Sequence, residues 1–231
     1  MLQEADGVRT RRREPAINAP LVVTGLILAL LAAHGARVWT GTTLDPLAVT
    51  SQDFAQGGYA QFVTYQFAHG SWAHVLMNSA FVLAFGAPVA RYFGTGARGS
   101  LTFLLFFLVC GVLAAASYGI YVDLEARVMA RPPPPWALVG ASGAASGLMG
   151  AAARLMQGHG RVGQLGGRTV VVMTLAWILI NLVLGLSGLT PGAGAVPVAW
   201  QAHILGFFAG LLLISPFAAL AGATRRHQPL P

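Results

Sequence analysis

The sequence predicts an all-α polytopic membrane protein, and three observations carry that reading. Hydrophobic residues make up 55% of the 231 positions and charged residues only 9%, with a mean hydropathy of +0.65. A soluble domain carries about 25% charged residues, so this chain has too few to cover a water-facing surface. The apolar residues gather into six runs, near 20–39, 72–93, 100–121, 141–157, 169–187 and 198–220. A membrane-spanning helix needs about 17–25 residues. All fourteen basic residues are arginines, and they fall between the runs or near their ends. That spread is the signature of membrane topology rather than of nucleic-acid binding, so lipid is the expected partner and nucleic acid is not.

The elements follow in order. Residues 1–17 are polar and hold Arg9, Arg11, Arg12 and Arg13, which reads as a solvated N-terminal tail. The membrane domain is expected over 18–222, with a second short tail at 223–231. The first run is longer than a signal-peptide core and no cleavage site follows, so it is read as a retained anchor. The fourth run is short and rich in Gly and Ala. It suits the centre of a bundle, where small residues let helices approach closely. Its start is marked by Pro132 to Pro135, since proline cannot continue a helix. Cys110 is the only cysteine, which excludes an internal disulfide.

With six spans, eleven of the fourteen arginines share one side with both termini, and Arg37, Arg127 and Arg131 lie on the other. The positive-inside rule then places both termini in the cytoplasm. Loops 40–71 and 122–140 face outward and contain Asp45, Asp53, Asp123 and Glu125.

Against this scaffold a few polar residues stand out. Ser142 opens the fourth segment between Gly140 and Gly143. Glycine permits a tight backbone at a helix start, and the first turn leaves N–H groups unpaired that can stabilise an oxyanion. His203 lies near the start of the sixth segment, and an ionisable residue within a span commonly serves function. Gly206 and Gly210 repeat the four-residue spacing of Gly143 and Gly147, so two small-residue faces could bring serine and histidine together. His74 and Asn78, four apart at the start of the second segment, share a helix face and both can donate hydrogen bonds. His69, at the preceding junction, suits a structural or oxyanion-supporting role. His34, His159 and His227 read as solvated. The topology places Ser142, His203, His69, His74 and Asn78 at one depth, in the outer leaflet.

Absences narrow the chemistry. None of the seven acids falls in segments two to six. No carboxylate is available to complete a Ser-His-Asp triad, so a Ser–His dyad is expected. An aspartyl protease lacks its two carboxylates, and no His-Glu-x-x-His is present for zinc. No metal or other cofactor is expected.

Gly140-Ala141-Ser142-Gly143-Ala144 with Gly147 and Gly150, His69-x4-His74-x3-Asn78, and Ala202-His203-x2-Gly206-x3-Gly210 together resemble the three motifs of the rhomboid family of intramembrane serine proteases. The resemblance covers about residues 58–215. It implies Ser142 as nucleophile, His203 as general base and then acid, and an oxyanion hole built from the Ser142 N–H, His74 and Asn78. It implies membrane-protein substrates cut near the outer face. Tyr59-Ala60-Gln61 stands where many members carry Trp-Arg, and Ser146 stands where many carry an aromatic that stacks on the histidine. Ser146 is expected to bond a carbonyl of its own helix or to contact His203. Gly188 to Pro197 form a Gly/Pro-rich loop suited to a lid. The alternatives are an inactive rhomboid-like scaffold that binds transmembrane helices and a small transporter. Oligomeric state leaves no mark on the sequence.

Overall fold

The computed structural model describes residues 19–159, 161–188 and 199–223. The N-terminal tail, nearly all of the C-terminal tail with His227, and the expected lid beyond Gly188 lie outside the described residues. Within them the chain is helical, and five helices are long and apolar enough to cross a membrane. These are α1 (Leu21–Thr40), the continuous pair α4 (Trp72–Phe81) and α5 (Ala87–Phe93), α6 (Ala97–Val128), α8 (Arg168–Ser187) and α9 (Trp200–Ala221). The sixth expected segment is α7 (Ser142–Gln157), only 16 residues long.

Helix α7 is the axis of the bundle. It touches α4, α5, α6, α8 and α9, and 12 of its 16 residues are buried. Its composition explains the position, because the Gly and Ala on every face let neighbouring backbones close in. A Cβ on Gly206 or Gly210 would strike the carbonyl oxygens of Gly143 and Gly147 respectively, and one on Gly150 would strike that of Phe207. On another face, a Cβ on Gly147 would lie 2.6 Å from Cys110 Cβ of α6. The small-residue spacing legible in the sequence is therefore the α7–α9 seam itself.

Helix α1 packs through Val23, Leu26, Leu30 and His34, a single stripe at helical spacing. The second span passes through a π-helical turn at Val82–Gly86 between α4 and α5. Helix α6 runs to Val128, beyond the expected end near 121, so Asp123 and Glu125 are helical rather than in a loop. The segment Val122–Val128 contains no Gly or Pro, and nothing breaks the helix before Arg131 and the prolines.

The expected loop 40–71 is folded. Helix α2 (Ser51–Gln56) starts with a capping box in which Thr50 and Asp53 bond each other's backbone N–H. A four-residue helix α3 (Gln61–Thr64) and a 3₁₀ turn (Tyr65–Phe67) follow. Strand β1 (Val49–Thr50) pairs antiparallel with β2 (Ala137–Leu138), joining Val49 to Leu138 and Thr50 to Ala137. This short ladder fastens the first loop to the strand that leads into Gly140. Trp39 and Tyr59, at this end of the bundle, are exposed aromatics of the kind that seat a protein at the membrane–water interface.

Candidate active site

The site is built where α4, α7 and α9 begin and α8 approaches its end. Ser142 is the first residue of α7 and His203 the fourth of α9. The glycine seam brings the two helices so close that Ser142 Oγ lies 2.8 Å from His203 Nε2. Both side chains are half-buried, whereas Ser146, one turn deeper, is 2% exposed. Ser146 Oγ donates to the Ser142 carbonyl at 2.7 Å, the first of its two expected arrangements. It does not fill the place of an aromatic beside His203.

That place is taken from α8. The Trp177 indole lies 6.4 Å from the His203 ring, tilted by 34°, and its N–H points to the His203 carbonyl at 3.4 Å. Asn181, one turn further along, is 1% exposed. Its Oδ1 is 2.9 Å from His203 Nδ1, and its Nδ2 donates to the Trp177 carbonyl at 2.9 Å. Neither residue was among the sequence candidates. A carboxylate is the usual partner that orients such a histidine, and an amide meets the same geometric need without charge. A lone Asn in the otherwise apolar run of 169–187 was the available signal, since an unpaired amide is costly in lipid.

On the opposite wall, Gly140 adopts φ +109°, and a Cβ there would fall 2.7 Å from the Cε1 and Nε2 atoms of His74 and 3.4 Å from Asn78 Nδ2. Both polar tips thus converge on the backbone two residues before Ser142. Asn78 is buried on α4, and its Nδ2 has no hydrogen-bond partner among the described residues. It is chemically able to donate to an acceptor brought beside Gly140. Ser142 lies in the first turn of α7, where the helix leaves the N–H groups without intrahelical partners.

His69 has a positional task. Its Nε2 accepts the N–H of Ala141 at 3.3 Å, and its Nδ1 donates to the Phe67 carbonyl at 3.4 Å. His34, expected to be solvated, is instead 1% exposed, because its Nδ1 donates to the His69 carbonyl at 3.1 Å and its ring packs edge-on against Trp72. Gly140 N–H donates to the Tyr65 carbonyl at 2.8 Å, and Tyr65 Oη reaches the Gly111 carbonyl of α6 at 2.6 Å. Gly140 and Ala141, which lead into α7, are therefore both held by the 65–69 segment. Burial, with His74 second, pushes the His69 pKa down to about 3, so His69 stays neutral. Its Nε2 is then free to accept.

Gly143 lies against Ala114, where a Cβ would be 2.7 Å from that residue's Cβ. The site glycines Gly140, Gly143, Gly206 and Gly210 are thus each explained by an approach that a side chain would block.

A bundle of apolar helices around a central short helix, with a serine and a histidine in contact at one end, defines a multi-pass membrane protein. A family profile of the Rhomboid domain matches residues 56–219. The chain belongs to the rhomboid family, whose members are generally intramembrane serine proteases acting on membrane proteins. No curated protein is significantly similar to it. Helix α1 lies outside the matched span, yet it supplies the His34 contact behind the site.

Proposed function

We propose that this protein is an intramembrane serine endopeptidase that cleaves transmembrane segments of other membrane proteins. The observation that carries the proposal is the 2.8 Å approach of Ser142 Oγ to His203 Nε2, beside two donors that face the same backbone. Ser142 gives its proton to His203 Nε2 as Oγ attacks the scissile carbonyl. The new oxyanion accepts hydrogen bonds from Asn78 Nδ2, His74 and the Ser142 N–H. His203 then returns the proton to the leaving amine, and a water activated by His203 hydrolyses the acyl-enzyme by the reverse sequence. No carboxylate takes part.

The six helices of 18–222 all cross the bilayer in this reading, with α7 shielded from lipid by its neighbours. Arg91, Arg98, Arg154, Arg161 and Arg168 flank the helix ends opposite the site, against Arg37, Arg127 and Arg131 at the site end. That bias supports cytoplasmic termini and a site facing the periplasm or outer face of a bacterial inner membrane. A substrate helix must unwind to present its bond, so residues of low helix propensity near its outer end favour cleavage.

The test is a fluorophosphonate serine probe on the purified protein, together with cleavage of a model transmembrane substrate. The expected result is one adduct, on Ser142, and loss of cleavage in Ser142→Ala. An unlabelled protein that binds the substrate helix without cutting it would make the chain a scaffold instead.

A further inference from the structure

From the contacts around His203 we infer that Asn181 is a positioning residue that fixes the tautomer of this histidine, making the working unit Ser142–His203–Asn181. The inference rests on the proposed protease reading for its kinetic consequences, while its structural core stands on α8 and α9 alone.

The hydrogen-bond directions admit one solution. The two ends of an Asn side chain differ: the NH₂ only donates and the oxygen only accepts. One end of Asn181 lies 2.9 Å from the Trp177 carbonyl, which can only accept. That end is therefore the NH₂, and the oxygen faces His203 Nδ1 at 2.9 Å. An oxygen acceptor requires a proton on Nδ1. A neutral imidazole with its proton on Nδ1 carries its lone pair on Nε2, and Nε2 is the atom 2.8 Å from Ser142 Oγ. The carbonyl of Trp177 thus sets the amide, the amide sets the ring, and the ring is left ready to accept the serine proton. The opposite tautomer would aim N–H at Ser142 and leave two lone pairs facing each other at Asn181.

The choice of an amide over a carboxylate fits its surroundings. Asn181 is 1% exposed in a helix that faces lipid, where a carboxylate would be costly. The amide gives an acceptor of fixed direction with no charge to bury. Trp177 supports the same ring from the side, and its indole N–H holds the His203 main chain at 3.4 Å.

The test reads the proton directly. In protein labelled with ¹⁵N-histidine, the ring nitrogen shifts of His203 report which nitrogen is protonated, whether or not the enzyme turns over. Wild type should show a single Nδ1–H form at neutral pH. Asn181→Leu, similar in size and without an acceptor, should show both tautomers. It should also lose about 10-fold in kcat with KM unchanged, the scale of losing one supporting hydrogen bond. Asn181→Asp, which keeps an acceptor in place, should recover the single form. A wild-type proton on Nε2 overturns the inference, even if Asn181→Leu does not fold. So does an Asn181→Leu protein with wild-type tautomer and turnover. Failure of the protease reading looks different: the Nδ1–H signal is present, and Ser142 neither labels nor cleaves.

Discussion

Gly206→Ala tests how the site is assembled. A Cβ at this position would sit 3.0 Å from the carbonyl carbon of Gly143 and 3.2 Å from its Cα, with the carbonyl oxygen nearer still. Both partners are backbone, so neither can rotate away. Restoring normal contact of about 3.5–4 Å requires α7 and α9 to part by about 1 Å. Ser142 is the neighbour of Gly143, and His203 lies three residues before Gly206, so the separation falls on their 2.8 Å contact. Stretched to about 3.6–3.8 Å, that contact is no longer a hydrogen bond. A misplacement of about 1 Å costs about 100-fold in rate, or about 2.7 kcal/mol in barrier, and overpacking costs about 1–3 kcal/mol of stability. The rate of fluorophosphonate labelling, compared with a thermal melt in detergent, measures both. Gly25→Ala is the control, because a Cβ there meets nothing within 4 Å. Wild-type labelling in folded Gly206→Ala would refute the view that the backbone seam sets the distance between serine and histidine.

Four further outcomes are expected. Asn78→Ala should lower kcat by about 100- to 1000-fold with little change in KM, as for the loss of one oxyanion donor; a loss confined to KM would make Asn78 a structural residue. Ser142→Ala and His203→Ala should be equally inactive in the cleavage assay, and the double variant no worse, because groups acting as a unit are non-additive. Asp53→Asn should retain cleavage and lose about 1 kcal/mol of stability, since its carboxylate is engaged by Thr50 N and Oγ1 at 2.9 and 2.6 Å. Acid should destabilise the fold through His69, whose pKa falls from 6.5 to about 3 on folding. The unfolded chain takes up that proton first, so this contribution is intact above about pH 6.5 and declines as pH falls toward 3, by up to about 1.4 kcal/mol per unit. Unfolding titrations of His69→Gln against wild type over that range should show a shallower acid slope in the variant.

The helices and the pairing of Ser142 with His203 are legible because their signals are strong and local. Apolar runs of spanning length mark α1, α4–α5, α6, α8 and α9, and glycines at four-residue spacing mark the α7–α9 seam. What escaped depends on partners distant in sequence. Asn181 reads as an isolated polar residue until α8 is laid against α9. His34 reads as a residue near a helix end until its ring is seen under Trp72. The end of α6 is hard to place because Asp123 and Glu125 add polarity without breaking the helix, which continues to Val128 in the absence of Gly or Pro. The β1–β2 ladder, two residues on each side, is too short to produce an alternating pattern.

The π-helical turn at Val82–Gly86 also governs how chain length matters in the second span. A π turn holds one residue more than the α-helical turn it replaces, so the helix on its two sides runs in different rotational phase. Above it, Val75 and Asn78 face inward; below it, Val89, Ala90 and Phe93 do. Deleting one residue within the turn would leave a regular helix whose lower half keeps its facing, whereas a deletion elsewhere in α4 or α5 would turn all that follows by about 100°. In the first case His74, Asn78, Val89 and Phe93 would all keep their stations. The second span therefore tolerates a change of one residue in length at Val82–Gly86, and an alignment that closes a one-residue gap anywhere else in it assigns the wrong residues to its inner face.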